Sequence, residues 1–204
     1  MDKIVLYLIV GIVLTGCTKE NFIDTGLAVG YQDCSMLEYM KNNPGNWDST
    51  VVMIEHAGLE KLFDGKDPDY PKFTFFGPKK LSLLRYLLDN DIERIKDMDP
   101  EECREMILEY VCVDLILRKD VPKGTAFLPW PPIPGEGGMD ISMLGGNACR
   151  LFARTQDYEG LPEAGATYIY LESRRKTTNI ATSDLRFTNG IIHALATKHT
   201  FGSL

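Results

Sequence analysis

Histidine and tryptophan are scarce in this chain of 204 residues, with three and two copies, and cysteine occurs five times. The cysteines are Cys17, Cys34, Cys103, Cys112 and Cys149, and no two form a C-x-x-C pair. That spacing supports neither a zinc knuckle nor a dithiol redox pair. A basic excess is also lacking: 22 Lys and Arg against 29 Asp and Glu give a formal net charge of −7. Phosphate backbones demand a cationic face, so nucleic acid is excluded as a partner. No apolar run reaches the ~20 residues a membrane-spanning helix needs. GxSxG elbows, HExxH helices, phosphate loops and dinucleotide fingerprints are all missing, and there is no internal repeat. No enzyme activity, metal or cofactor is therefore expected. What remains, 44% hydrophobic and 25% charged residues, is the composition of a globular domain, and the length suits one domain with a tail.

The most specific local feature is at the start. "KIVLYLIVGIVLTGCTKE" has a basic residue, Lys3, an apolar run from Ile4 to Leu14, and then Thr15-Gly16-Cys17 before a polar stretch. This has the layout of a secretory signal, and "LTGC" resembles the lipobox of bacterial lipoproteins. The resemblance implies a diacylglyceryl group on the Cys17 thiol and cleavage after Gly16, with residues 1–16 as signal peptide. Each buried methylene adds ~0.8 kcal/mol, so two or three acyl chains make a stable anchor. Residues 17–34 read as an unpatterned tether with an average reach of ~20–25 Å, and residues 35–204 as a single domain. Lys19-Glu20 partly resembles a surface-export signal. The expectation is a lipid anchor in the outer membrane with the domain at the cell surface; a periplasm-facing location is the alternative.

Along the domain, helical signals come first. Ser35 and Glu38 form a capping-box pattern, "NNPG" is read as a stop, and "WDSTVVMIEHAGLEKLF" as a second helix capped by Asp48 or Ser49 with a break at Gly58. Phe73 to Phe76 is a strand-like run. Leu81, Leu84, Leu87 and Leu88 fall on one helical face. In "DPEECREMILEYV", Asp99 caps, Pro100 starts, and Cys103, Met106, Ile107, Tyr110 and Val111 line the apolar stripe. The acids Asp99, Glu101 and Glu102 are explained by that helix start. A Pro/Gly-rich loop covers about 121–138, and then come strand-like runs "DISML", "ACRLFART", "TYIYLES" and "IIHALAT". Helices before strands, without βαβ alternation, predict an α+β fold.

Two stretches resemble the signature segments of the fasciclin domain: "FTFFGPKKLSLLRYL" and "DLRFTNGIIHALAT". "DPEECREMILEYV" falls where that family has its central helix, and "SMLEYMKNNPGNWDSTVVMIEHAGL" matches its opening helices. The resemblance implies a twisted, mostly antiparallel β-wedge with helices packed alongside, and a binding or cell-adhesion role without catalysis. Its partners would be an extracellular protein or glycan. An accessory ligand-binding role beside an outer-membrane transporter for nutrients is the second reading, and a degenerate hydrolase a distant third. The sequence departs from the family at Lys79-Lys80, in the length of its proline-rich loop, and at Val111. Val111 stands where a histidine would follow Tyr110 in the family's Tyr-His pair.

Candidate contact residues follow. Phe127 and Trp130 in "FLPWPP" form either an aromatic platform for a sugar ring or partner, or a cover for an exposed edge of the core. Tyr110 is a candidate through the resemblance alone. Asp48-Ser49-Thr50 resembles a short bacterial O-glycosylation site, with Ser49 or Thr50 as acceptor, although helix capping accounts for the same residues. His193 is expected to be a hydrogen-bonded structural group. The adjacent pair Glu55-His56 points apart on a helix. Cys103 and Cys112 are expected to be buried free thiols.

Overall fold

The structure, a computed structural model, describes residues 30–202 and residue 204. The lipobox-like segment, the apolar run before it, Cys17, Lys19-Glu20 and most of the expected tether lie outside the described residues. The last tether residues are already part of the domain's contacts. The Tyr31 backbone bridges Arg186, Gln32 N–H donates to Arg186 O (2.8 Å), and Thr188 N–H donates to Cys34 O (3.2 Å).

Among the described residues, five α-helices and nine strands follow in order: α1 Met36–Asn42, α2 Pro44–His56, α3 Glu60–Phe63, β1 Phe73–Gly77, α4 Lys80–Asp89, α5 Pro100–Leu108, β2 Val111–Cys112, β3 Leu128–Pro129, β4 Pro132–Ile133, β5 Met139–Ser142, β6 Ala148–Thr155, β7 Thr167–Glu172, β8 Thr177–Phe187 and β9 Gly190–Leu195. Seven strands form one sheet, ordered β2-β1-β9-β8-β7-β6-β5, while β3 and β4 make a separate hairpin. All neighbours in the sheet are antiparallel except β1 and β9. The fold is α+β, a mixed sheet with helices packed alongside.

Strand β8 shapes the sheet. Its first residues pair with β7 and its remainder with β9, with register shifts between Ile180 and Thr182 and between Thr182 and Leu185. Such irregularities bend a strand and sharpen its twist. The sheet thereby curls until its two edges meet: Cys112 bridges Met143, and Leu144 N–H donates to Val111 O (2.8 Å). This near-closure covers edges that would otherwise expose unpaired backbone groups.

The two signature segments lie side by side at the centre as β1 and β9, with Phe73 opposite Gly190 and Phe76 opposite His193. All residues of both strands are buried, so Ile191 and Ile192 are covered on opposite faces. The turn between β8 and β9 is the main fastening point. Asn189 accepts from Met36 N–H (2.9 Å) and donates to Phe63 O (2.8 Å), tying α1 and α3 to the sheet. Gly190 follows at φ 135°, where a Cβ would collide with the Phe73 carbonyl oxygen, so only glycine fits.

Several local expectations hold. Ser35 Oγ accepts from Glu38 N–H (3.1 Å), and Asp99 Oδ1 accepts from Glu101 and Glu102 N–H (2.9 and 3.2 Å). Cys103 and Cys112 are buried free thiols, and Cys34 and Cys149 are also unbridged. Burial pushes the Cys103 and Cys149 thiols up to about 11, which makes them poor nucleophiles.

Others are corrected. The second helix begins at Pro44, not at Asp48 or Ser49: proline suits the first helical position because its missing N–H has no helical partner there. The buried face of α4 is Leu83 and Leu87, with Ser82, while Leu81 and Leu88 are exposed. Ser82 turns inward because its hydroxyl donates to His199 O (2.6 Å). Strand β8 has no counterpart among the strand-like runs read from the sequence, which jump from "TYIYLES" to "IIHALAT".

Candidate functional site

The Pro/Gly-rich segment builds a projecting hairpin. At its base, Thr125 N–H donates to Glu136 O (2.9 Å) and Gly138 N–H to Lys123 O (2.9 Å). At its tip, β3 and β4 pair Leu128 with Ile133. Proline and glycine keep this segment out of the main sheet, so its side chains are not drawn into the core. Trp130 is 90% exposed, and Phe127, Leu128 and Ile133 are 48%, 52% and 48% exposed. Phe127 and Trp130 are thus on the surface and do not cover the core. Four large apolar side chains on one hairpin form the kind of exposed patch that marks an interaction surface.

Backbone hydrogen bonds tie the hairpin's base to β6, Gly124 N–H to Ala153 O (3.0 Å) and Ala153 N–H to Pro122 O (2.8 Å), and an ion pair fastens it further along. Arg150 on β6 and Glu172 on β7 are direct cross-strand partners. The guanidinium donates to Glu172 Oε2 from Nε (3.1 Å) and Nη2 (2.7 Å), and also to Thr125 O (2.5 Å) and Gly137 O (3.1 Å). It lies 5.0 Å from the Phe152 ring centroid, within cation–π range. Gly135 passes so close that any Cβ there would collide with the guanidinium. Glu172 Oε1 accepts from Phe127 N–H (2.9 Å) and Thr177 Oγ1 (2.9 Å). Burial pushes this carboxyl up, but the Phe127, Thr177 and Arg150 hydrogen bonds outweigh it and hold Glu172 below the usual range. Both side chains are largely enclosed. The pair therefore fixes both strands of the hairpin and the backbone of Phe127 itself.

Beside the hairpin lies a cleft of about 700 Å³. Phe127 and the β7–β8 turn, Ser173-Arg174-Arg175-Lys176, are among the residues that line it. Ser173 Oγ accepts from Arg175 N–H and Lys176 N–H (3.1 Å each), and Ser173 N–H donates to Lys176 O (2.9 Å). The turn is closed on itself, and three consecutive cations are presented from a fixed backbone.

The remaining candidates lie elsewhere. Tyr110 has no exposed surface and is corrected as a contact residue: its hydroxyl stands 2.8 Å from His199 Nε2 and accepts from Gly202 N–H (3.0 Å). Its ring stacks on Phe201 at 5.3 Å. Thr50 is likewise corrected as a glycosylation acceptor, being fully buried with its hydroxyl on Pro78 O (2.7 Å). Ser49 is half-buried in α2, its hydroxyl 3.2 Å from Asp48 Oδ1. Asp48 in turn pairs with Lys80 (2.5 Å), so one of the two lysines that depart from the fasciclin pattern has a defined partner.

His193 is structural as expected. Its Nε2 donates to Ile116 O (2.8 Å) and its Nδ1 accepts from Asp184 N–H (3.3 Å), a neutral tautomer kept so by burial. Among the described residues, no cluster of His, Cys, Asp and Glu could hold a metal ion, and no helix is long and apolar enough to cross a membrane. The sequence reading missed Arg150, Glu172 and the Arg174–Lys176 turn. "RRK" was a visible signal, a cationic run in an acidic chain.

No protein-family model and no curated protein matches the sequence. Among solved structures, the chain is similar to a FAS1 domain pair from the insect cell adhesion molecule fasciclin I, with a TM-score of 0.46 and 11% identity over 83% of this chain and 46% of that one.

Proposed function

We propose that this chain is an exported, lipid-anchored binding or adhesion module with a fasciclin-like fold, and that its hairpin and adjoining cleft form the contact face. One observation carries the reading: an aromatic, apolar tip is held out from the domain by a hairpin fastened through a largely enclosed ion pair. A side chain such as Trp130, 90% exposed on a fastened hairpin, serves no packing purpose among the described residues. Large aromatic groups displayed rigidly lose little conformational freedom on binding. The lipobox at Cys17 supports the anchor, and the pairing of the two signature segments as β1 and β9 supports the fasciclin-like fold.

Binding, not catalysis, is the task in this reading. The test uses cells that make the full chain, with adhesion measured to immobilised glycans and matrix proteins. Phe127→Ala/Trp130→Ala should abolish attachment while leaving the amount and melting temperature of the protein unchanged. Undiminished attachment by that variant would move the contact face elsewhere.

A further inference from the structure

Resting on the contact face proposed above, we infer that the cleft takes an acidic oligosaccharide, with Arg174, Arg175 and Lys176 holding its carboxylate or sulfate groups and Phe127 stacking on a sugar ring. The first ground is charge. In a chain of net charge −7, three successive cations line one wall of a concave site. None of them forms an ion pair with a described carboxylate; the ion pairs of the described residues use other cations. The nearby acids leave them available. Glu172 is saturated by Phe127, Thr177 and Arg150. Arg175 lies close enough to Glu109 to favour its charge, yet burial still leaves that carboxyl raised. Asp140 also lines the cleft, where a carboxylate suits a sugar hydroxyl as a hydrogen-bond acceptor.

The second ground is shape. A cleft of about 700 Å³ is of the size that encloses a small ligand, whereas a protein partner needs a broad surface of ~800 Å² on each side. The third is preorganisation: the Ser173 hydrogen bonds fix the turn, and the guanidinium forks match a pair of oxygens on a carboxylate or sulfate. The aromatic wall gives the sugar ring an apolar face to lie on.

The test is titration calorimetry of the detergent-solubilised full chain with three sugars of equal length: a galacturonic acid tetrasaccharide, a sulfated cellotetraose and neutral cellotetraose. A poly-glutamate peptide of similar charge is the fourth arm. At least one acidic sugar should bind about tenfold or more tightly than the neutral one, and raising salt from about 50 to about 500 mM should weaken it about tenfold. Which acidic sugar binds separates a carboxylate ligand from a sulfate ligand. Arg174→Ser/Arg175→Ser, both at exposed positions, should lose this binding with unchanged melting, and Phe127→Ala should weaken it.

Equal binding of the neutral sugar, no binding of any sugar, tight binding of the peptide alone, or full affinity in the arginine variant would each overturn the inference. If the sugars fail while Phe127→Ala/Trp130→Ala still abolishes cell attachment, the acidic-sugar assignment fails and the contact face stands. If that aromatic variant attaches normally, the contact face itself fails.

Discussion

The Tyr110 hydroxyl and His199 Nε2 stand 2.8 Å apart although 89 positions separate the two residues. The contact closes the C-terminal segment over the end of α5. Phe201 stacks on Tyr110 and meets Tyr86 edge-on, and Arg85 donates to the Thr197 and His199 carbonyls. Tyr110 and His199 thus meet inside the core and not on the surface.

The buried imidazole makes stability depend on acid. Burial, with the positive charges of Lys176 and Arg85, lowers His199 from 6.5 to about 4. Its folded value lies below its unfolded one, so the unfolded chain takes up a proton that the folded chain refuses. Stability is then full above about pH 6.5 and falls as pH drops towards 4, by up to ~3 kcal/mol from this group. Urea midpoints across that window should show the loss, and His199→Gln should flatten the slope. A wild-type midpoint constant from pH 7 to 4 would contradict the assignment.

The β8–β9 turn should tolerate little change. Asn189→Ala leaves Met36 N–H and Phe63 C=O buried without their partner, at a cost of about 1–3 kcal/mol for each group. Ile191→Ala or Ile192→Ala should cost ~2–5 kcal/mol, since each side chain is enclosed. Thermal denaturation of these variants is the check; melting close to wild type would show that the two signature segments are not the structural centre.

Breaking the hairpin's fastening should be both global and local in effect. Glu172→Ala leaves Arg150 enclosed without its carboxylate, a loss of about 3–5 kcal/mol, and releases Phe127 N–H. Limited proteolysis of this variant should cut within residues 122–138 under conditions where the wild-type hairpin survives. Equal resistance of the two proteins would mean that the ion pair does not hold the hairpin.

The anchor is tested separately. Cys17→Ser should give uncleaved or soluble precursor, and protease added to intact cells should remove the domain of the wild-type protein. A mature-sized Cys17→Ser protein that still fractionates with membranes would sink the lipid anchor. Digestion only after lysis would place the domain in the periplasm.

The parts of the fold that could be read from sequence are those specified by neighbouring residues. Asp99-Pro100 marks a helix start without help from the rest of the chain, and continuous apolar runs give β1 and β9. Strand β8 escapes because its bulges break the two-residue alternation and leave a polar "TTNIATSD". The inward turn of Ser82 depends on a carbonyl more than a hundred positions away. At the site, Phe127 and Trp130 stand out because proline crowds them, but the sequence left open whether they face outward or cover the core. Arg150 and Glu172 are not, because a cross-strand pair exists only once the register of β6 and β7 is known.

The contact face is tested most directly by hydrogen–deuterium exchange on the detergent-solubilised full chain, with and without the acidic tetrasaccharide that binds. Residues 125–133 and 172–177 should exchange more slowly with the sugar present, and the rest of the chain should be unchanged. Protection confined to the helices α1–α5, or no protection of the hairpin and the β7–β8 turn, would contradict the account.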